Sequence, residues 1–145
     1  MSYQIGIDRS SAIHEITLAS DASYTSGGTI ALDGLASSHA TGSVSLSSNV
    51  VTLAAGQYII NGSIAIDRTD LATDYSVDFY DNSDSSLLPI SEGWMGSQSM
   101  TSTTSDSLVL QAQVSLTASV SFYLQGTGSA GTQKAVGTSL VILEL

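Results

Sequence analysis

The chain has no cysteine, so it can have neither a disulfide framework nor a thiolate metal site. Cations are almost as scarce. Arg9, Arg68 and Lys134 stand against thirteen carboxylates, for a formal net charge of −10. Phosphate binding needs clustered Lys and Arg, so neither nucleic acid nor an anionic membrane is an expected partner. Proline occurs once, at Pro89, which leaves the turns to Gly, Ser, Asn and Asp. No apolar run reaches the ~18 residues of a membrane-spanning helix. Met1 to Gly6 has no cationic start and no apolar run, so no secretory leader is expected. Lys, Arg and Glu are too few to support helices.

What is present is a 145-residue chain of 14.9 kDa, enough for one domain with a core that needs no staples. Apolar residues make up 42% and charged residues only 11%, which excludes a highly charged disordered chain. Ser, Thr and Gly number 28, 14 and 13, together 55 of the 145 residues. These totals predict an acidic, all-β protein without catalytic residues.

Period-two alternation is the dominant pattern. Val44 and Leu46 alternate with serines, and residues 49–53 read as a short strand followed by a turn at 54–56. Tyr58, Ile60, Ile64 and Ile66 share one face of a long run, with Gly62 in step. A hairpin turn at Asn61-Gly62 would leave strands of about three residues. One strand over about 57–68, with Gly62 marking a bulge or a close contact, fits better. Further strands are expected at 75–80, 87–90, 108–116, 120–125 and 140–145. Residues 96–107 read as a mobile loop. The strand spacing predicts a jelly-roll sandwich of about eight to ten antiparallel strands over residues 41–145. Residues 1–40 are less regular and read as an N-terminal arm with first short strands at 13–18 and 29–32.

In a lone sandwich each strand shows one apolar and one wet face. Three strands depart from this. Tyr80 lies opposite Val77 and Phe79, and Tyr123 lies opposite Phe122 and Leu124. The closing strand is apolar on both sides, with Leu140 and Ile142 on one and Val141, Leu143 and Leu145 on the other. Either the chain covers these faces itself, or identical copies do.

Candidate chemistry is sparse. His14 and His39 are the only histidines, and no Gly-x-Ser-x-Gly elbow accompanies them. Residues 126–131 match Gly-x-Gly-x-x-Gly, yet no helix follows to hold a pyrophosphate, so the motif reads as a loop between strands. Asp67, Asp70, Asp74, Asp78, Asp81 and Asp84 crowd one stretch. They read as solvated loops, with Ca²⁺ near Asp67, Asp70 and Asp74 as the alternative. No other cofactor is expected. Trp94 reads as a core or interface plug or as a sugar platform.

The run Val51-Thr52-Leu53-Ala54-Ala55-Gly56-Gln57-Tyr58-Ile59-Ile60-Asn61-Gly62-Ser63 resembles a signature of the tumour-necrosis-factor-like jelly-roll family, shared with complement and collagen-type heads. The closing run 137–145 is similar to the last central strand of that fold. The resemblance covers residues 40–145 and implies a sandwich that assembles as a homotrimer. It implies that strands 75–80, 120–125 and 137–145 lie together in the inner sheet and face the threefold axis. The implied interface residues are Tyr80, Tyr123, Val141 and Leu143, with Phe79 and Phe122 if the register is inverted.

The Ser/Thr/Gly-rich, Cys-free, Lys-poor composition resembles the versions of this fold carried by tailed bacteriophages. That resemblance implies a structural virion protein, a capsid decoration (cement) protein on the outer head surface. It would be assembled in the bacterial host cytoplasm and partnered by its own copies and the major capsid protein. Residues 1–40 would contact the capsid. The alternative it leaves is a receptor- or glycan-binding fibre head that uses Trp94 and residues 96–107.

Overall fold

A computed structural model describes residues 11–68, 74–97, 105–128 and 130–145. These form an all-β sandwich of eleven strands: β1 (Ala12–Thr17), β2 (Ala22–Tyr24), β3 (Gly34–Ser37), β4 (Val44–Ser47), β5 (Val50–Leu53), β6 (Gly56–Arg68), β7 (Ser76–Asp81), β8 (Trp94–Met95), β9 (Ser105–Leu116), β10 (Val120–Thr127) and β11 (Gly131–Glu144). Short pieces such as β8 bring the number above the eight to ten expected. All pairings between these strands are antiparallel. One sheet runs β3-β1-β11-β6-β9-β8, and the other runs β4-β5-β10-β7. β2 is the seventh strand of the first sheet. It pairs with residues 131–133 of β11, whereas β1 pairs with residues 139–144.

Alternation explains how the two sheets meet. Tyr58, Ile60, Ile64 and Ile66 of β6, Leu108, Leu110, Ala112 and Val114 of β9, and Leu140 and Ile142 of β11 all point inward. They meet Val51 and Leu53 of β5, Val77 and Phe79 of β7, and Phe122 and Leu124 of β10 in one continuous core. Tyr58 closes one end of this core, its ring buried and its hydroxyl donating to the Ala54 carbonyl at 2.9 Å. The long strand predicted at 57–68 is therefore continuous. Gly62 marks a close contact within it, because a Cβ there would lie 2.7 Å from Leu140 Cδ2 and 3.1 Å from Leu110 Cδ1.

Several expectations are corrected. Three strands between residues 12 and 37 are woven into the seven-stranded sheet: β1 supplies the hydrogen-bonding partner for β11 and carries β3 on its other edge, and β2 pairs with the start of β11. The described part of the expected arm is thus part of the sandwich. Residues 29–32 do not form a strand. Ile30 and Leu32 are buried, and the backbone polar groups beside them are satisfied singly. Ile30 N–H donates to the Leu124 carbonyl. The Gln133 amide bonds both the N–H and the carbonyl of Ala31, at 2.8 Å each. Residues 87–90 give only a bridge from Leu87 to Tyr80, followed by a 3-10 turn at Ile90–Glu92. β9 starts at Ser105, inside the stretch expected to be a loop. Residues 98–104 of that stretch lie outside the described residues.

Replacing Gly62 with Val should push against two fully buried leucines. We expect a stability loss of about 1–3 kcal/mol in urea unfolding with no change in far-ultraviolet circular dichroism. An unchanged midpoint would contradict the contact.

Candidate functional site

The structure divides the six sequence-predicted interface residues among three places. β7 and β10 belong to the four-stranded sheet and β11 to the seven-stranded one, so the three strands do not share an inner sheet. Phe79 and Phe122 are buried in the core between the sheets, their rings 5.4 Å apart and edge-to-face. They are not available to another chain. Tyr80 and Tyr123 stack on the outer face of the four-stranded sheet with centroids 5.7 Å apart. Val141 and Leu143 sit on the outer face of the seven-stranded sheet, on the opposite side of the molecule. No single flat contact can use both pairs.

Strand register shows what surrounds Val141 and Leu143. One row across the sheet reads Ile13, Leu143, Ile59 and Gln113. The next reads Glu15, Val141, Asn61, Gln111 and Met95. A third reads Thr17, Ser139, Ser63 and Val109. Ile13, Met95 and Val109 are 53%, 52% and 65% exposed, and Val141 is 37% exposed. Glu15 is the one ionisable side chain in these three rows. The rows therefore form a broad, nearly charge-free surface on a chain of net charge −10. Ile13, Ile59 and Met95 were missed in the sequence because a half-apolar outer face looks like ordinary alternation until the pairing register aligns its members.

The inner face of this sheet, at its β3-β1-β11 side, holds a polar network that ties three strands together. His14 is 1% exposed. Its Nε2 lies 3.0 Å from Glu144 Oε2 and its Nδ1 lies 2.7 Å from Ser37 Oγ. A carboxylate only accepts, so Nε2 carries the proton and Nδ1 of a neutral ring accepts from the serine. Thr41 Oγ1 donates to the same Glu144 oxygen at 2.8 Å. Serine, histidine and carboxylate stand in the order of a hydrolytic triad. Ser37, however, lies on an edge strand with no strand-to-helix elbow to present it. The network satisfies buried polar groups where β1, β3 and β11 meet.

The remaining candidates have structural roles. Trp94 is buried against Phe79 and Phe122, at centroid distances of 5.3 and 5.4 Å, so it is a core plug and no sugar platform. Gly126 leaves room for the hydroxyls of Tyr24 and Tyr75, each 2.6 Å from where a Cβ would stand. At Gly128, φ is +101° and a Cβ would meet the Asp74 carbonyl at 2.2 Å. The glycine pattern at 126–131 is thus explained by close packing. Asp81 and Asp84 accept hydrogen bonds from the amides and hydroxyls of Ser83 and Ser86, as turn residues do. Of the calcium candidates, Asp67 lies on β6, Asp74 is exposed, and Asp70 lies outside the described residues. Among the described residues no three His, Asp or Glu side chains converge on a metal position.

Solved structures of tumour-necrosis-factor type share this architecture. Murine APRIL at pH 8.5 superimposes with a TM-score of 0.66 at 9% identity, covering 93% of this chain and 99% of that one. Eiger TNF from S. frugiperda gives 0.56 at 14% identity, covering 92% and 91%. No family model and no curated protein matches the sequence. At these identities the likeness establishes the fold, a tumour-necrosis-factor-like jelly roll.

Burial pushes the Glu144 carboxyl up, but hydrogen bonds from His14, Ser43 and Thr41 outweigh it and hold the group below its ordinary 4.5. A carboxyl depressed in the folded state stabilises the fold above its unfolded pKa. That contribution is lost as pH falls through the folded value. Glu144→Gln should therefore lower stability at neutral pH by about 1 kcal/mol or more. It should also flatten the decline of the urea midpoint below about pH 4.5. Parallel pH profiles for variant and wild type would contradict the assignment.

Proposed function

We propose that the chain is a structural virion protein, a homotrimer that binds the outer surface of a phage head and reinforces it. The observation that carries the assembly is the nearly charge-free outer face of the seven-stranded sheet, centred on Ile13, Ile59, Val141 and Leu143. Copies that each carry ten negative charges repel one another, and they do so least where this face meets a neighbour. Burying it removes apolar surface from water at about 25 cal/mol per Å². An exposed apolar strip of this kind marks an interaction surface.

Val141 and Leu143 are interface residues in this reading. Tyr80 and Tyr123 lie on the face turned away from the assembly. The number three follows from the resemblance to the tumour-necrosis-factor-like family. The virion role follows from the Ser/Thr/Gly-rich, Cys-free, Lys-poor composition that resembles phage-borne versions of the fold. Three copies engaging the major capsid protein together need only modest contacts each, because the second and third bind at high effective concentration. The acidic surface suits an exterior position away from packaged DNA. The role needs no catalytic residue and no cofactor.

Native mass spectrometry of the purified chain should show three copies. The double variant Ile13→Glu, Val141→Glu should be a folded monomer, since both positions are exposed in the single chain. Mixing the wild type with expanded empty capsids should give saturable binding. A wild-type monomer would contradict the assembly. A trimer that ignores capsids would contradict the virion role alone.

A further inference from the structure

The seven-stranded sheet carries one built projection that the flat rows leave unexplained. Lys134 of β11 pairs with Ala65 of β6, and Ser139 pairs with Ser63. Residues 135–138 therefore stand opposite the single residue Ile64, in a wide β-bulge. Thr138, 3% exposed, plugs the gap in the ladder. Its hydroxyl donates to the Lys134 carbonyl at 2.6 Å and accepts from Ala65 N–H at 3.2 Å. Gly137, at φ +94°, turns the chain back. The Asp21 carboxylate clamps the start of the bulge, accepting from Ala135 N–H at 2.8 Å and from the Lys134 ammonium. Bulges of this kind re-aim side chains and cluster at functional sites.

This scaffold holds Val136 in water. The side chain is 89% exposed, the highest value among the large hydrophobic residues described. The bulge lies over the outer face, because a Cβ on Gly137 would stand 3.1 Å from Ala65 Cβ and 4.0 Å from Ser107 Oγ. The same face holds a groove of about 280 Å³ lined by Ile59, Asn61, Met95, Gln111 and Gln113. From Ala65 to Asn61 is four residues of β6, roughly 13 Å. A clamped bulge cannot reach the groove of its own chain across that distance.

We propose that Val136 is a knob that seats in the Ile59–Met95–Gln113 groove of a second copy of this chain. The inference rests on the proposed assembly and names its contact. A second copy is the occupant because knob and groove are both uncharged on a chain that otherwise repels its own kind. Among the described residues the cation beside the knob, Lys134, is paired with Asp21. Knob and groove lie on one face, so the contact could close reciprocally in a twofold pair; in the proposed trimer it runs head-to-tail and closes as a ring.

The test uses the full chain. Val136→Asp places a charge on an exposed bulge and should leave folding intact by circular dichroism. It should raise the concentration at which half the protein is assembled by about tenfold or more. The chain has no cysteine, so single variants Val136→Cys and Met95→Cys can be mixed without background. On oxidation the mixture should give a disulfide joining one chain of each variant, mapped by peptide mass spectrometry. The double variant should give covalent species that stop at the native oligomer. If Val136→Asp assembles as the wild type does and the 136–95 disulfide does not form, the knob is refuted and the assembly reading stands. If the wild type is itself monomeric, both fall.

Discussion

The structure depends on one constraint: a β-strand has only two faces, and this chain needs only one of them for its core. β6, β9 and β11 bury every second side chain against the four-stranded sheet, and that core is closed and continuous. The outward positions are then free to be polar, and in an acidic protein charge would be the simplest choice. Along the central rows the chain carries amides, hydroxyls and aliphatic groups with a single carboxylate. The core does not require that restraint, since outward positions do not touch it. A surface that must pass from water into contact does require it, because each unpaired charge would resist desolvation.

The polar interior is used with the same economy. His14, Glu144, Gln133 and Thr138 are buried, and each bonds backbone or side-chain groups that the strand ladders leave unpaired. His14 and Glu144 join β1 to β11, directly beneath Ile13 and Leu143. The Ile13–Leu143 row therefore rests on a strand pair fixed from below. Asp21 and Thr138 do the same for the bulge. The outer face is held rigid, so little conformational entropy is lost when it is covered.

Much of this was legible along the chain. The runs at 57–68 and 108–116 alternate so regularly that strand and inward face follow from the sequence alone. Tyr58 at the start of the long strand and the aliphatic close at 140–145 carry the family resemblance, and the fold agrees with it. Sheet membership was not legible. Alternation separates the two faces of a strand but does not say which strand lies alongside, so β7, β10 and β11 were grouped together although hydrogen bonding divides them between sheets. Phe79 and Phe122 were candidates only for an inverted register, and their burial in the core excludes that inversion. Trp94 was ambiguous because a lone aromatic reads alike whether it faces core or solvent. The bulge at 135–138 was hidden, since its cause is a threonine hydroxyl standing in for backbone, and no local pattern announces that.

Hydroxyl-radical footprinting compares the two outer faces in one experiment. If the seven-stranded face is covered in solution, Met95 and Val141 should be protected at high protein concentration and become reactive on dilution, while Tyr80 and Tyr123 on the other sheet react equally throughout. Full reactivity of Met95 and Val141 at every concentration would mean that the face stays open to water, and would contradict self-assembly through it.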